Sequence, residues 1–229
     1  MSVSRIFGQV VAVTMFVALY LIFCVAPTEA VMGDVQRIFY VHVPCAWVAF
    51  TAFFIVAGAS ARYLWTGSQK ADHLAIAAAE VGVLFCTLVV ITGPIWARPI
   101  WGVWWTWDPR LTMTLILWAI YVGYLMLRAF GGEGEAVARY AAVLGIVGVL
   151  DIPVIHYAVR LLEGIHPAVL RTREGGSGLT DPTMRLTLYV ASVAMLLLGA
   201  WLMALRVRTE RIAAEVAVLR REVEEGGGV

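Results

Sequence analysis

Charged side chains are scarce in this chain. Only 14% of its 229 residues are charged, whereas 61% are hydrophobic. A soluble globule of this length needs many more polar residues to cover its surface. The 17 basic and 16 acidic residues give a net charge of +1, which provides neither a basic surface for nucleic acid nor an acidic tail. The composition therefore predicts a chain that lies in a lipid bilayer and has no nucleic-acid partner.

Cysteine pairs and a nucleotide-binding glycine loop are both missing from the sequence. The three cysteines, Cys24, Cys45 and Cys86, lie apart in apolar runs, and no Cys-x-x-Cys occurs. This spacing argues against a zinc ribbon, an iron–sulfur cluster and self-attached c-type haem, and it indicates small buried hydrophobic residues. The glycine-rich segment 175–178 is not followed by lysine, so it is not a P-loop. Any ATP hydrolysis is therefore expected in a partner protein.

Long hydrophobic runs make up most of the chain. Each has about twenty residues, the length that crosses a bilayer once as a helix. They predict an all-α polytopic membrane protein in which residues 1–207 form a bundle of six transmembrane helices. The run after Arg5 is interpreted as the first span rather than a signal peptide, because no cleavage site precedes Pro27. The predicted spans are residues 6–26, 43–64, 73–96, 111–130, 136–156 and 184–207.

An even number of spans places both termini on one side of the membrane. That side carries ten of the lysines and arginines, and the other side carries seven. The positive-inside rule therefore favours cytoplasmic termini. Residues 208–229 are predicted to form a charged cytoplasmic tail with an amphipathic helix. The apolar residues of that helix recur at helical spacing and are Ile212, Val216, Leu219 and Val223.

Tryptophan is concentrated in one predicted outer loop, residues 96–110. Five of the nine tryptophans lie there, at Trp96, Trp101, Trp104, Trp105 and Trp107. An interfacial aromatic belt would spread over all helix ends. Concentration in one loop instead favours a flat apolar surface on which a large planar ligand stacks. Asp108 precedes Pro109, a pattern typical of a helix N-cap, so Asp108 is interpreted either as a cap or as a ligand-binding residue.

Histidine is the next scarce residue, with four copies. His42, His156 and His166 fall on the same predicted face as the tryptophans, whereas His73 falls on the opposite face. A single histidine at a membrane edge is often structural, but neutral imidazoles on both sides of a planar macrocycle are a common way to hold haem iron. The arginines on this face suit haem carboxylates or lipid phosphates equally well. They are Arg98, Arg110, Arg160, Arg171 and Arg173.

Two acidic residues fall inside predicted spans. Glu80 and Asp151 are surrounded by apolar sequence, where an ionisable group is costly and usually faces a partner or a cavity. Asp151 lies near His156 in the sequence and therefore near the predicted site. Glu80 has no evident partner in the sequence, and a contact with a neighbouring subunit is one hypothesis for it.

The run WGVWWTWDPRLT at residues 101–112 resembles the tryptophan-rich WWD signature of the haem-handling proteins of cytochrome c maturation. Two further segments, QRIFYVHVP at 36–44 and IPVIHY at 152–157, resemble the haem exporter protein C (CcmC) family. That resemblance covers essentially the whole chain. The larger haem lyases are similar only around the tryptophan loop and have more spans.

The resemblance implies a haem-presenting protein of the bacterial inner membrane rather than an enzyme. Haem b would be held non-covalently and transiently at the outer face, with His42 and His166 as axial ligands. Residues of the signature would bind the rest of the haem, namely Trp101, Trp104, Trp105, Trp107, Asp108 and Arg110. The stretch before His166 lacks the aromatic residues that the family often has there, so His156 is the alternative second ligand.

The resemblance also implies partners. Haem would pass to a membrane-anchored chaperone similar to CcmE, and the chain would work with a CcmA-like ATPase, a CcmB-like membrane subunit and a small CcmD-like subunit. Two other functions fit the same residues: a membrane oxidoreductase that uses b-type haem, and a subunit that transports haem across the membrane. Electron transfer across the bilayer usually needs haem ligands at two depths, whereas the candidate ligands here share one face.

Overall fold

The computed structural model describes residues 3–132, 134–161, 179 and 181–226. Within these ranges the chain is helical and has no β-strand beyond a single isolated bridge between Glu29 and Gly33. A π-helical turn, Leu21–Val25, ends the first helix, and a 3-10 helix, Asp34–Ile38, precedes the second. The α-helices are α1 Val3–Tyr20, α2 Phe39–Thr66, α3 Gln69–Trp101, α4 Pro109–Phe130, α5 Glu135–Val149, α6 Asp151–Leu161 and α7 Pro182–Gly226.

Six helical segments are long and apolar enough to cross a membrane, which confirms the predicted all-α polytopic bundle. Successive spans place residues 27–33 and 102–108 at one end of the bundle, here called the tryptophan face. The opposite face carries the short connection at Gly67 and the connection around Gly134. Within the described residues, the segments that meet this criterion are Arg5–Val25, Asp34–Thr66, Gln69–Trp101, Pro109–Phe130, Glu135–Tyr157 and Pro182–Glu224.

The core of the bundle forms where α2 and α3 pack along their lengths. Phe53 of α2 is fully buried and stacks on Tyr121 of α4, with ring centroids 3.8 Å apart and an interplanar angle of 6°. Gly82 of α3 lies against the edge of the Phe53 ring, where a Cβ atom would overlap that ring. Because Phe53 is held between Gly82 and Tyr121, α3 can approach α2 this closely only with glycine at position 82.

Replacing Gly82 with alanine should therefore destabilise the bundle by about 1–3 kcal/mol, the usual cost of overpacking a well-packed core. Thermal unfolding in detergent measures the effect. Gly58→Ala on α2 is the matched control, because no atom lies within 4 Å of a Cβ built there. A Gly82→Ala variant as stable as Gly58→Ala would contradict this account of the α2–α3 contact.

Two ion pairs join α3 to its neighbours. The buried carboxylate of Asp72 accepts a hydrogen bond from Arg128 of α4 at 2.7 Å. Glu80 accepts two hydrogen bonds from the Arg206 guanidinium of α7, one of them at 2.8 Å from Nη2. The hypothesis that Glu80 contacts a neighbouring subunit is therefore not needed, since its partner lies in the same chain. Such a bidentate pair makes an acidic residue tolerable inside an apolar span.

Helix α3 continues beyond the predicted span end at residue 96 and includes both Pro94 and Pro99. The predicted loop 96–110 is thus shorter in the structure, where residues 102–108 separate α3 from α4. Proline is tolerated inside membrane helices because neighbouring groups satisfy the freed carbonyls. The helix ends instead at Gly102, whose φ of 74° is left-handed and whose N–H bonds to the Arg98 carbonyl.

The predicted fifth span is broken near its tryptophan-face end. Helix α5 ends at Val149 and α6 begins at Asp151, with Leu150 in a turn between them. Pro153 explains the break, since it has no N–H to donate to the Val149 carbonyl and its ring crowds that carbonyl. The predicted tail, in contrast, is continuous with the last span, because α7 is a single helix of 45 residues.

The cysteines match their predicted environment in part. Cys45 and Cys86 are buried in the core, as expected for small hydrophobic residues. Cys24 is exposed on the π-helical turn after α1, so the expectation of burial was wrong for this residue. Its position has a simple reason, since α1 packs mainly on α7 and its remaining sides face outward.

Candidate functional site

The tryptophan loop, residues 102–108, lies at the end of the bundle where α3 and α4 meet. Gly102 begins the loop in the left-handed conformation that favours glycine. The Arg98 guanidinium donates a hydrogen bond to the Gly102 carbonyl, so one side chain of α3 holds the first residue of the loop. These contacts fix the conformation of the chain where the loop leaves α3.

The indoles of this loop present a large apolar surface. Trp104 and Trp107 are 60% and 76% exposed, and Trp105 is half-buried beside them. The rings of Trp105 and Trp107 meet edge to face, with centroids 6.0 Å apart. Trp101, the last residue of α3, is also half-buried. Exposed aromatic area of this extent suits a flat apolar ligand or the lipid interface.

Two polar atoms of the loop are buried without a partner. The Trp105 Nε1 and Thr106 Oγ1 atoms make no hydrogen bond within the described part of the chain. A buried donor left unsatisfied costs about 1–3 kcal/mol, and such groups in native proteins usually have a role or a bound partner.

Asp108 has the helix-capping role that its sequence context suggested. Its side chain is buried, and Oδ1 accepts a hydrogen bond from the Arg110 backbone N–H at 2.9 Å. Pro109 occupies the first helical position of α4, where its missing N–H costs nothing. The Asp108 carbonyl also accepts from the Thr112 hydroxyl at 3.0 Å. Asp108 therefore fixes the start of α4, whatever further role it has.

Arg110 links the tryptophan loop to α6. Its Nε donates to the Ile155 carbonyl at 3.4 Å, and the side chain is half-buried between α4 and α6. This contact spans 45 residues of sequence. Because Ile155 precedes His156, the signature and the end of the fifth span are held together at one face of the bundle.

His42 lies in the first turn of α2 and is buried against α3. Its Nδ1 is 2.9 Å from Thr92 Oγ1, and its ring centroid is 5.9 Å from that of Trp96. A Cβ atom at Gly93 would come within 3.5 Å of His42 Cε1, so α3 fits closely around the imidazole. The sequence had placed His42 at this face correctly but had not indicated Thr92 as its partner.

The other residues that the sequence placed near the site lie in different environments or outside the described residues. His156 is exposed on α6, where its ring meets Tyr157 edge to face at 5.4 Å. Asp151 Oδ2 is buried and has no hydrogen-bond partner among the described residues, so it does not orient His156. His166, Arg171 and Arg173 lie outside the described residues, as does the side chain of Arg160.

The described ring contacts on this face are separate from one another. Phe39 and His42 both meet Trp96, Trp105 meets Trp107, and His156 meets Tyr157. The sequence prediction did not include Thr92, and it named Trp96 with the tryptophans of the predicted loop but not among the haem-binding residues. A usable signal was present, because both residues belong to one apolar span and are four positions apart, which places them on the same side of α3.

Known proteins resemble this chain along most of its length. A family model described as "Heme exporter protein C" matches residues 1–222. A protein of that name from Bradyrhizobium diazoefficiens is 35% identical over 198 residues, which is 86% of this chain and 72% of the relative. The protein from Escherichia coli is 35% identical over 185 residues, covering 80% and 73%. The protein from Paracoccus denitrificans is 33% identical over 198 residues, covering 86% and 82%.

Proposed function

The chain belongs to the haem exporter protein C family, and on that premise we propose that it binds haem at the tryptophan face for cytochrome c biogenesis. Haem b is the cargo, held non-covalently and handed to a membrane-anchored haem chaperone similar to CcmE. The protein itself makes and breaks no covalent bond. It binds, orients and releases a ligand.

The observation that supports this proposal most strongly is the character of the tryptophan loop. Its exposed indoles, Trp104 and Trp107, match the flat apolar faces of a porphyrin. Trp105 Nε1 and Thr106 Oγ1 are buried donors that have no acceptor among the described residues, and they suit the carboxylates of haem. A lipid-interface belt accounts for exposed indoles at this depth, but it gives no reason for two buried donors that lack an acceptor in the described part of the chain.

His42 and His166 are the proposed axial ligands of the haem iron. His42 is fixed between α2 and α3 at the tryptophan face, so it provides a rigid ligand. The assignment of His166 comes from the family resemblance, and His156 on α6 is the alternative. Neutral imidazoles bind haem iron through a coordinate bond that can dissociate, which suits a cargo that must later leave.

The remaining signature residues support the tryptophan loop. Asp108 caps α4 and Arg110 bonds to α6, so these two residues would hold the loop in position for haem binding. Trp101 adds apolar area where α3 ends. We propose the same partners as the resemblance implies: a CcmA-like ATPase, a CcmB-like subunit and a CcmD-like subunit. The chain has no P-loop of its own, so ATP hydrolysis belongs to a partner.

A transfer assay tests this function directly. Purified protein loaded with one equivalent of haem should show a low-spin six-coordinate spectrum, and addition of the soluble domain of a CcmE-like chaperone should move the haem to that domain. An oxidoreductase would instead keep its haem in the presence of the chaperone. A haem that is retained, and that cycles between oxidation states with added quinol, would contradict the proposal.

We further propose that the protein lies in the bacterial inner membrane with cytoplasmic termini. The excess of basic residues on the terminal side supports this orientation. In a Cys24→Ser background, a Val103→Cys variant of the tryptophan loop should react with a membrane-impermeant maleimide in intact cells. A Val223→Cys variant of α7 should react only after permeabilisation. Both positions are exposed, so accessibility does not bias the comparison. The reverse labelling pattern would contradict the orientation.

A further inference from the structure

His42 and Thr92 belong to a hydrogen-bond chain that ends on a backbone carbonyl of α3. Thr92 Oγ1 is 2.9 Å from His42 Nδ1 and 2.6 Å from the Leu88 carbonyl oxygen. A carbonyl oxygen can only accept, so the single hydroxyl proton of Thr92 is donated to Leu88. Towards His42 the Thr92 oxygen can then act only as an acceptor. The proton between the two side chains must therefore be on His42 Nδ1.

A second threonine on α3 has the same arrangement with an unambiguous donor. Thr87 Oγ1 donates to the Val83 carbonyl at 2.7 Å and accepts from Trp118 Nε1 at 2.8 Å. An indole N–H can only donate, so the direction of that hydrogen bond is certain. Thr87 thus demonstrates, five residues earlier on the same helix, that a threonine bonded to its own helix accepts a ring N–H from a neighbouring helix.

The tautomer of His42 decides which nitrogen can bind a metal. A neutral imidazole carries one proton, so protonation at Nδ1 leaves the lone pair on Nε2. We infer that Thr92 is a positioning residue that holds His42 in the Nδ1–H tautomer and so prepares Nε2 as the haem ligand. This inference rests on the proposed function for the identity of the metal. The tautomer itself is a property of the haem-free chain.

The contacts around the ring fix its orientation as well. Trp96 packs against His42 at an interplanar angle of 57°, and a Cβ built at Gly93 would be in van der Waals contact with Cε1, so α3 lies against this edge of the ring. Rotation of the imidazole about its own axis would break the bond to Thr92 and meet these neighbours. Hydrogen-bonded partners of this kind set both tautomer and direction in metal-binding histidines, and their loss costs about 10- to 100-fold in metal affinity.

Three variants separate the hydroxyl from other effects at this position. Thr92→Val keeps the shape of the side chain but has no hydroxyl, and Thr92→Ser keeps the hydroxyl. Thr87→Val is the matched control, since it removes the equivalent hydroxyl from the same helix without touching His42. The chain has only four histidines, so selective ¹⁵N-histidine labelling gives a spectrum that His42→Ala can assign.

The first measurement is made on haem-free protein in detergent at alkaline pH, where ordinary imidazoles are neutral. Wild type, Thr92→Ser and Thr87→Val should show His42 protonated at Nδ1. Thr92→Val should shift the proton to Nε2 in a substantial fraction of molecules. A wild-type His42 that carries its proton on Nε2 would overturn the inference, and this result requires no Thr92 variant.

The second measurement is the dissociation constant for haem. Thr92→Val should bind haem about 10- to 100-fold more weakly, whereas Thr92→Ser and Thr87→Val should bind like wild type. Unchanged binding in a Thr92→Val variant that has lost the Nδ1–H tautomer would overturn the positioning role. If His42→Ala binds haem normally while Thr92→Val shifts the tautomer, the haem ligand is misassigned and the tautomer assignment stands. If His42→Ala loses haem but Thr92→Val causes no tautomer shift, His42 stands as the haem ligand and the tautomer assignment is wrong.

Discussion

His42→Ala should abolish the six-coordinate haem spectrum and weaken haem binding by more than about 100-fold, the upper end of the effect of hydrogen-bonded partners around a metal ligand. The reason is direct loss of the proposed axial ligand from a position packed between α2 and α3, where no other described imidazole can replace it. Added imidazole should enter the vacated space and partly restore the low-spin spectrum. Absorption spectra of the purified variant, with and without imidazole, measure both effects.

The second axial ligand is tested by the same method. His166→Ala should behave like His42→Ala, whereas His156→Ala should lower haem content without changing the coordination. His156 is exposed on α6 and has Tyr157 as its ring partner, which suits a surface or supporting role. A bis-histidine spectrum that survives in His166→Ala but disappears in His156→Ala would show that the second ligand is His156.

The double substitution Trp104→Ala, Trp105→Ala should leave an inserted and folded protein that retains haem poorly. Aromatic stacking contributes about 0.5–1.5 kcal/mol per ring beyond burial, so loss of two indoles corresponds to about 1–3 kcal/mol and to about five- to 150-fold in Kd. Trp104 is 60% exposed, so its removal disturbs little of the packed interior. Haem titration of the purified variant measures the loss.

Trp65→Ala is the matched control for that experiment. Trp65 is 91% exposed and lies at the opposite face, so the same chemical change is made far from the site. An interfacial belt predicts that both variants lose membrane insertion or thermal stability to a similar degree. Stacking predicts that only the double variant loses haem. Normal haem content in a well-expressed double variant would contradict the stacking role.

The spans were predictable because hydropathy is a local property of the chain. Every predicted run lies within or largely overlaps a membrane helix of the structure. The ends of those helices were not predictable in the same way. The predicted loop began at residue 96, but α3 continues through Pro94 and Pro99, and Gly102 decides where it ends. Pro153 could have predicted the break before α6, but it lies in an apolar run that was interpreted as one continuous span.

The parts of the candidate site that depend on local composition were predictable, whereas the parts that depend on contacts between helices were not. The density of tryptophan identified the loop, and the sequence context of Asp108 correctly indicated a helix cap. The contact between His42 and Thr92 joins residues 50 positions apart, and the pair of Glu80 and Arg206 joins residues 126 positions apart. Such pairings depend on which faces of the helices meet, and hydropathy gives no information about that.

Helix α7 is much longer than the bilayer is thick. Its 45 residues span about 67 Å at about 1.5 Å per residue, more than twice the hydrocarbon thickness of about 30 Å. The described helix is continuous to Gly226, so it projects from the bilayer as a stiff rod rather than a flexible tether. A protein bound near its end would be held at a fixed height above the membrane.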